Sequence, residues 1–182
     1  MTELHFQGKT ISVPEPKSSS EVLADLEAKI GSKRDSETNY CFIEVDINHF
    51  KAWFDVYGPE QRILMLYRLY AELKREEISK SNDIEYTARI GDDKFLCVST
   101  SANPEALVGM IKSRLESVTV EKYDEAKSRK TAGDFELDPQ KVTVRLGVAT
   151  YFGRNPDLHL LLEKAYEAKN SITSGIAFVK AK

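Results

Sequence analysis

The chain predicts an α/β (α+β) domain built as a ferredoxin-like βαββαβ palm, with a central, mostly antiparallel sheet of about five strands and helices on its faces. Three observations carry that expectation. A compact apolar run, Tyr40 to Val45, stops at Asp46. Two further runs, Ile84 to Arg89 and Phe95 to Ser99, flank the turn Gly91-Asp92-Asp93 and read as a hairpin. Between these runs the apolar residues recur at three and four, which is the helical spacing.

Taken in order, Leu4-His5-Phe6-Gln7-Gly8 resembles the end of a protease-tag site, so residues 1–8 are left out of the fold argument. The Ser- and Pro-rich stretch through residue 19 is expected to be an extended lead-in to one domain spanning 20–182. Ser20 is the expected cap of an amphipathic helix with Val22, Leu23, Leu26 and Ile30 on one stripe. After the Tyr40 to Val45 strand, a short helix from His49 to Tyr57 is stopped by Gly58, and Pro59 opens the next as its first residue. That second helix places Ile63, Leu66, Tyr67, Tyr70 and Leu73 on its apolar face. Beyond the hairpin, Asn103-Pro104 starts a helix through Leu107, Met110, Ile111 and Leu115. Residues 121–140 are charged and aperiodic and read as a surface excursion. A strand from Val142 to Ala149, a helix from Pro156 to Lys169 and a strand from Ile176 to Val179 complete the domain.

A formal charge of −3, with Lys and Glu evenly mixed, gives none of the basic field that long nucleic acids require. Cys41 and Cys97 lie in apolar runs without metal-ligand spacing and read as buried hydrophobes of a reducing, cytoplasmic setting. No run approaches the roughly 18 apolar residues of a membrane span.

The chemistry concentrates where strands stop. If the first strand and the hairpin lie side by side, Asp46 and the Asp92-Asp93 pair converge, and such oxygen ligands suit Mg²⁺ or Mn²⁺ beside a triphosphate. Four segments then resemble the GGDEF domain of diguanylate cyclases over about residues 40–180. Asp46-Ile47-Asn48-His49-Phe50-Lys51 is similar to DIDHFK, with Asp55-Val56-Tyr57-Gly58 as the DxYG that follows. Arg89-Ile90-Gly91-Asp92-Asp93-Lys94-Phe95 resembles RYGGDEF. Val142 to Ala149 is similar to TVSIGVA, and Ala165-Tyr166-Glu167-Ala168-Lys169 to ALYxAK. Shifted by one, Ile90 to Asp93 would match the GGDD turn of the related CRISPR polymerase palm; Arg89 and Phe95 favour the GGDEF register.

The resemblance implies a metal-dependent joining of two nucleoside triphosphates by 3′-5′ phosphodiester bonds, with pyrophosphate leaving. Asp46 and Asp93 would be the catalytic carboxylates, and Asp46, the Ile47 carbonyl and Asp93 the metal ligands. Lys51, Phe54, Gly91, Asp92 and Lys169 fall on substrate-contacting positions. The implied partners are a nucleoside triphosphate or a cyclic dinucleotide, a second copy in a homodimer, and a separate sensor or effector protein. The chain departs from the family at several of these places. Asp92 replaces the second signature glycine and Lys94 the signature Glu. Phe54 and Ile63 stand where Asn and Asp read guanine, and Thr173 where an Arg grips phosphate. Asn82 and Glu85 hold the places of the feedback-site RxxD. The alternative expectation is therefore a degenerate, inactive GGDEF domain that serves as a nucleotide receptor or dimerisation module. Taken without the resemblance, Lys51 and Lys169 are solvated helix lysines, Phe54 completes a core, Asp92 forms a turn and Lys94 pairs with Asp46 or Asp92.

Overall fold

The structure, a computed structural model, describes residues 2–6, 8–74, 84–129 and 142–181. Strands β1 (Thr2–Phe6) and β2 (Lys9–Val13) form an antiparallel hairpin about Gly8, whose φ of +74° suits a residue without Cβ. The lead-in thus carries a strand pair, and it is anchored by Val13, which is buried in the core.

Helix α1 (Ser19–Ile30) follows. Its cap is Ser18, two residues earlier than the sequence suggested. The Glu21 amide donates to Ser18 Oγ at 3.3 Å while the Glu21 carboxylate accepts from the Ser18 amide at 2.8 Å. The capping box needs an acid three residues after its Ser, and Glu21 serves Ser18 in that way. The buried stripe is Val22, Leu26 and Ile30, with Leu23 at its margin.

Next come β3 (Thr38–Asn48), α2 (Phe50–Tyr57) and α3 (Pro59–Leu73). His49, at φ +60°, turns the chain between β3 and α2, and Gly58, at φ +88°, separates the two helices. The α3 face differs from the expected one. Leu66 and Leu73 are buried as read, but Met65 and Leu69 join them, Tyr67 is exposed, and Ile63 and Tyr70 are half-buried. The cause is tertiary: α3 packs against α4 and β2, so its covered side is wider than the stripe a sheet alone would select.

The hairpin is β4 (Ile84–Arg89) and β5 (Lys94–Ser99). Helix α4 (Pro104–Arg129) continues through the first half of the segment read as a surface excursion, and the remainder of that segment lies outside the described residues. β6 (Thr143–Gly153), α5 (Leu158–Asn170, capped by Asp157) and β7 (Gly175–Lys180) end the fold.

The sheet order is β4-β5-β3-β6-β7, with the first four strands antiparallel to their neighbours and β7 parallel to β6. This is the expected βαββαβ palm with one added strand. Because β3 is central, both of its faces are covered. Cys41, Ile43, Val45 and Ile47 meet α2, α3 and α4 in one core, while Tyr40 and Phe42 meet α1 and α5 in the other. Both cysteines are buried free thiols, and burial pushes each up to about 12. Among the described residues no helix is long and apolar enough to cross a membrane.

Candidate functional site

The site is the sheet end at which β3 stops and the β4–β5 turn begins. Arg89 builds that turn. Its buried guanidinium donates Nε to the Gly91 carbonyl at 2.9 Å, Nη2 to the Asp92 carbonyl at 3.0 Å and Nη1 to the Pro14 carbonyl at 3.3 Å. One side chain thereby fixes the acidic turn and ties the lead-in to it. The Ile47 amide donates to the Asp93 carbonyl at 3.2 Å, which seats the turn against β3. A Cβ on Gly91 would lie 3.3 Å from the Lys94 Cβ, so the small residue leaves room for the lysine stem.

Register decides what Asp46 meets. Lys94 on β5 and Arg145 on β6 are its two cross-strand partners. Asp46 is buried, and Arg145 sends both Nε and Nη2 to its Oδ2. Of the two partners named for Lys94 from the sequence, Asp46 is its cross-strand neighbour without an ion pair and Asp92 pairs with Arg62 and Arg89; the cation that binds Asp46 is Arg145. It occupies the Ser position of TVSIGVA, and that small-to-charged exchange was the available signal. Asp93 is half-buried, and burial, followed by the Asp46 carboxylate, pushes its carboxyl above its ordinary value while Lys94 draws it down.

Two carboxylates here therefore stand among two cations. A divalent metal gains from a site whose ligands carry surplus negative charge, and no such surplus is present. Among the described residues no group of three or more His, Cys, Asp or Glu is placed to hold a metal. The donor set, with Asp46 already engaged and Lys94 where the family has Glu, does not fit Mg²⁺ or Mn²⁺. Ile47, the expected carbonyl ligand, remains in the β3 ladder opposite Val144.

The expected substrate residues divide into three places. Phe54 and Asp92 share a cleft of about 220 Å³ with Arg62, Ile63 and Leu66. The Arg62 guanidinium lies 5.1 Å from the Phe54 ring centroid and 3.1 Å from Asp92 Oδ1. Phe54 thus completes the core margin and also walls a cleft, while Asp92 is an exposed turn residue held by arginine. Lys51 is exposed on α2. Lys169 is not the solvated lysine read from its helix. It is buried, donates to Glu44 Oε1 at 2.7 Å and sits 4.6 Å from the Tyr166 ring centroid.

Gly147 explains that burial. A Cβ there would stand 2.1 Å from the Ala165 carbonyl oxygen and 2.3 Å from the Lys169 amide nitrogen, so α5 lies directly on β6. Glu44 is the cross-strand neighbour of Gly147, and the approach delivers Lys169 to it. Thr173, at the family's Arg position, lies in the turn after α5; its carbonyl accepts from Asn48 Nδ2 at 2.7 Å. Of the feedback-site places, Asn82 lies outside the described residues, and Glu85 is paired with Lys33.

No family sequence model and no curated protein sequence matches the chain. Solved structures do. The GGDEF domain of DgcB from Caulobacter crescentus, in complex with c-di-GMP, is 18% identical, with 90% of this chain and 91% of that chain covered at a TM-score of 0.57. The FimX GGDEF domain from Pseudomonas aeruginosa is 19% identical, with 91% and 94% covered at 0.59. The active GGEEF domain of a diguanylate cyclase from Vibrio cholerae is 16% identical, with 92% and 100% covered at 0.55. With the strand order, the acidic turn and these likenesses in agreement, the chain is, in fold, a GGDEF-like domain.

Proposed function

We propose that this chain is a non-catalytic, nucleotide-responsive signalling module of GGDEF type. The observation that carries the reading is the Arg145 guanidinium on Asp46, with Lys94 on the other side of the same residue. A metal would have to displace one cation and tolerate a second, and the Coulomb gain from two carboxylates is cancelled before it arrives. The base-reading positions support the same conclusion, since Phe54 and Ile63 offer no hydrogen bonds to a guanine edge.

The Phe54 cleft suits reception in place of turnover. Phe54 gives the cleft an aromatic wall for a base, and Arg62, which lies over that ring and pairs with the exposed Asp92, is the guanidinium that a phosphate would recruit. The ligand is thus a nucleoside triphosphate or cyclic dinucleotide, bound without metal chemistry and reported to a partner or a second copy.

The test is incubation with each radiolabelled nucleoside triphosphate and Mn²⁺, beside calorimetry with the same nucleotides and cyclic di-GMP. The expected result is no pyrophosphate release and a metal-independent affinity that falls at least about tenfold in Phe54→Ala. Pyrophosphate release that disappears in Asp46→Ala would make the chain a divergent nucleotidyl cyclase. Absence of any nucleotide affinity would remove the receptor role.

A further inference from the structure

We propose a second ligand site, for a small amphipathic organic anion, in the cleft beneath α1 and α5 on the opposite face of the sheet from Phe54. Its cleft is separate from the one proposed for the nucleotide, and Lys94 is the residue the two readings share. The cleft measures about 360 Å³, within the range of small-molecule sites. Its walls are apolar: Val22 and Leu23 from α1, Leu96 from β5 and Leu162 from α5.

Charge selects the occupant. Of the other charged side chains that line the cleft, Lys17 is held by Asp25, Glu44 is held by Lys169, and Glu163 is exposed to solvent. Lys94 differs. Its half-buried side chain lines the cleft, and among the described residues its ammonium has neither an ion pair nor a hydrogen bond, although its charge is felt by Asp93. An unpaired lysine on an apolar-walled cleft is the complement of a carboxylate or sulfonate attached to a hydrocarbon or aromatic body. The exposed Tyr166 at the mouth adds a ring face and a hydroxyl donor. A neutral apolar ligand would leave Lys94 desolvated without compensation, and a polyanion would find one free cation, so a monoanion fits best.

The probe is 8-anilinonaphthalene-1-sulfonate, followed by fluorescence, with octanoate and 1-octanol as competitors. Expected are one saturable site, at least tenfold weaker dye binding in Lys94→Met and in Leu23→Glu, unchanged binding in Phe152→Ala, and octanoate displacing dye at least tenfold better than 1-octanol. Near-UV circular dichroism establishes that each variant is folded. The inference is overturned by the absence of saturable binding, by full affinity in folded Lys94→Met, by loss of binding in Phe152→Ala, or by equal competition from the alcohol.

Discussion

At the scale of single residues, the Arg145 guanidinium on Asp46 and the burial of Asp93 set the charge balance at this end of the sheet. Asp93 shows it in a pH dependence. Its folded-state carboxyl titrates above the ordinary value of 3.8, with burial as the main cause and the Asp46 charge second. A raised acid favours the protonated form in the fold, so its stabilising contribution is complete below the unfolded value and is lost as pH rises through the folded one. Asp93→Asn removes that loss. Urea midpoints from about pH 3 to about pH 8 should show the variant gaining on the parent as pH rises, with the difference constant once Asp93 is ionised. The Glu44–Lys169 pair gives a second residue-scale expectation. Both side chains are buried, so Lys169→Met strands a carboxylate and should cost about 3 kcal/mol or more, while Glu44→Leu with Lys169→Met recovers to within about 1 kcal/mol of the parent. Chemical denaturation of the two variants measures both values; a double variant as weak as the single one refutes the assignment.

At the scale of elements, the decisive contact is α5 against β6. Helices ordinarily stand off a sheet by the length of their side chains, and here Gly147 removes one layer of atoms. Gly147→Ala places a methyl group at 2.1 Å from the Ala165 carbonyl oxygen and at 2.3 Å from the Lys169 amide nitrogen, both backbone atoms that cannot swing aside. Overpacking of this kind costs about 3 kcal/mol, at the upper end of its range. It should also move Lys169 away from Glu44, so hydrogen exchange in α5 and the start of β7 should quicken more than in α3. Uniform exchange across the molecule would contradict that local effect. The hairpin turn has a comparable anchor in Arg89, whose three backbone acceptors join the turn and the lead-in.

At the scale of the whole molecule, β3 is shared by two cores on opposite sheet faces, so neither core can melt without exposing the back of the other. A single cooperative transition follows. Trp53, the one tryptophan of the chain, lies in the α2–α3–α4 core and reports on that side. Phe42 lies in the α1–α5 core, fully buried, and Phe42→Ala should cost about 3–5 kcal/mol. Although the substitution is across the sheet from Trp53, the fluorescence transition should shift by the same amount as far-UV circular dichroism. Two separate midpoints would mean that the cores unfold independently.

From Ser19 onward the sequence by itself determined the order of strands and helices, the acidic turn between β4 and β5, the Gly58-Pro59 break and the palm topology, because hydrophobic period and turn chemistry are encoded within a few neighbouring residues; it missed the β1–β2 hairpin and the extension of α4 to Arg129. It placed Asp46 at the end of β3 for the same reason. What it could not determine was the company Asp46 keeps: Arg145 is 99 positions away, and Lys94 reaches it only through the β3–β5 register. Tertiary structure likewise turned Lys169 from a surface lysine into a buried partner of Glu44, 125 positions distant, through the glycine that lets α5 descend onto the sheet. Desolvation and cross-strand pairing are properties of the packed sheet, and they decide which charges Asp46 and Lys169 meet.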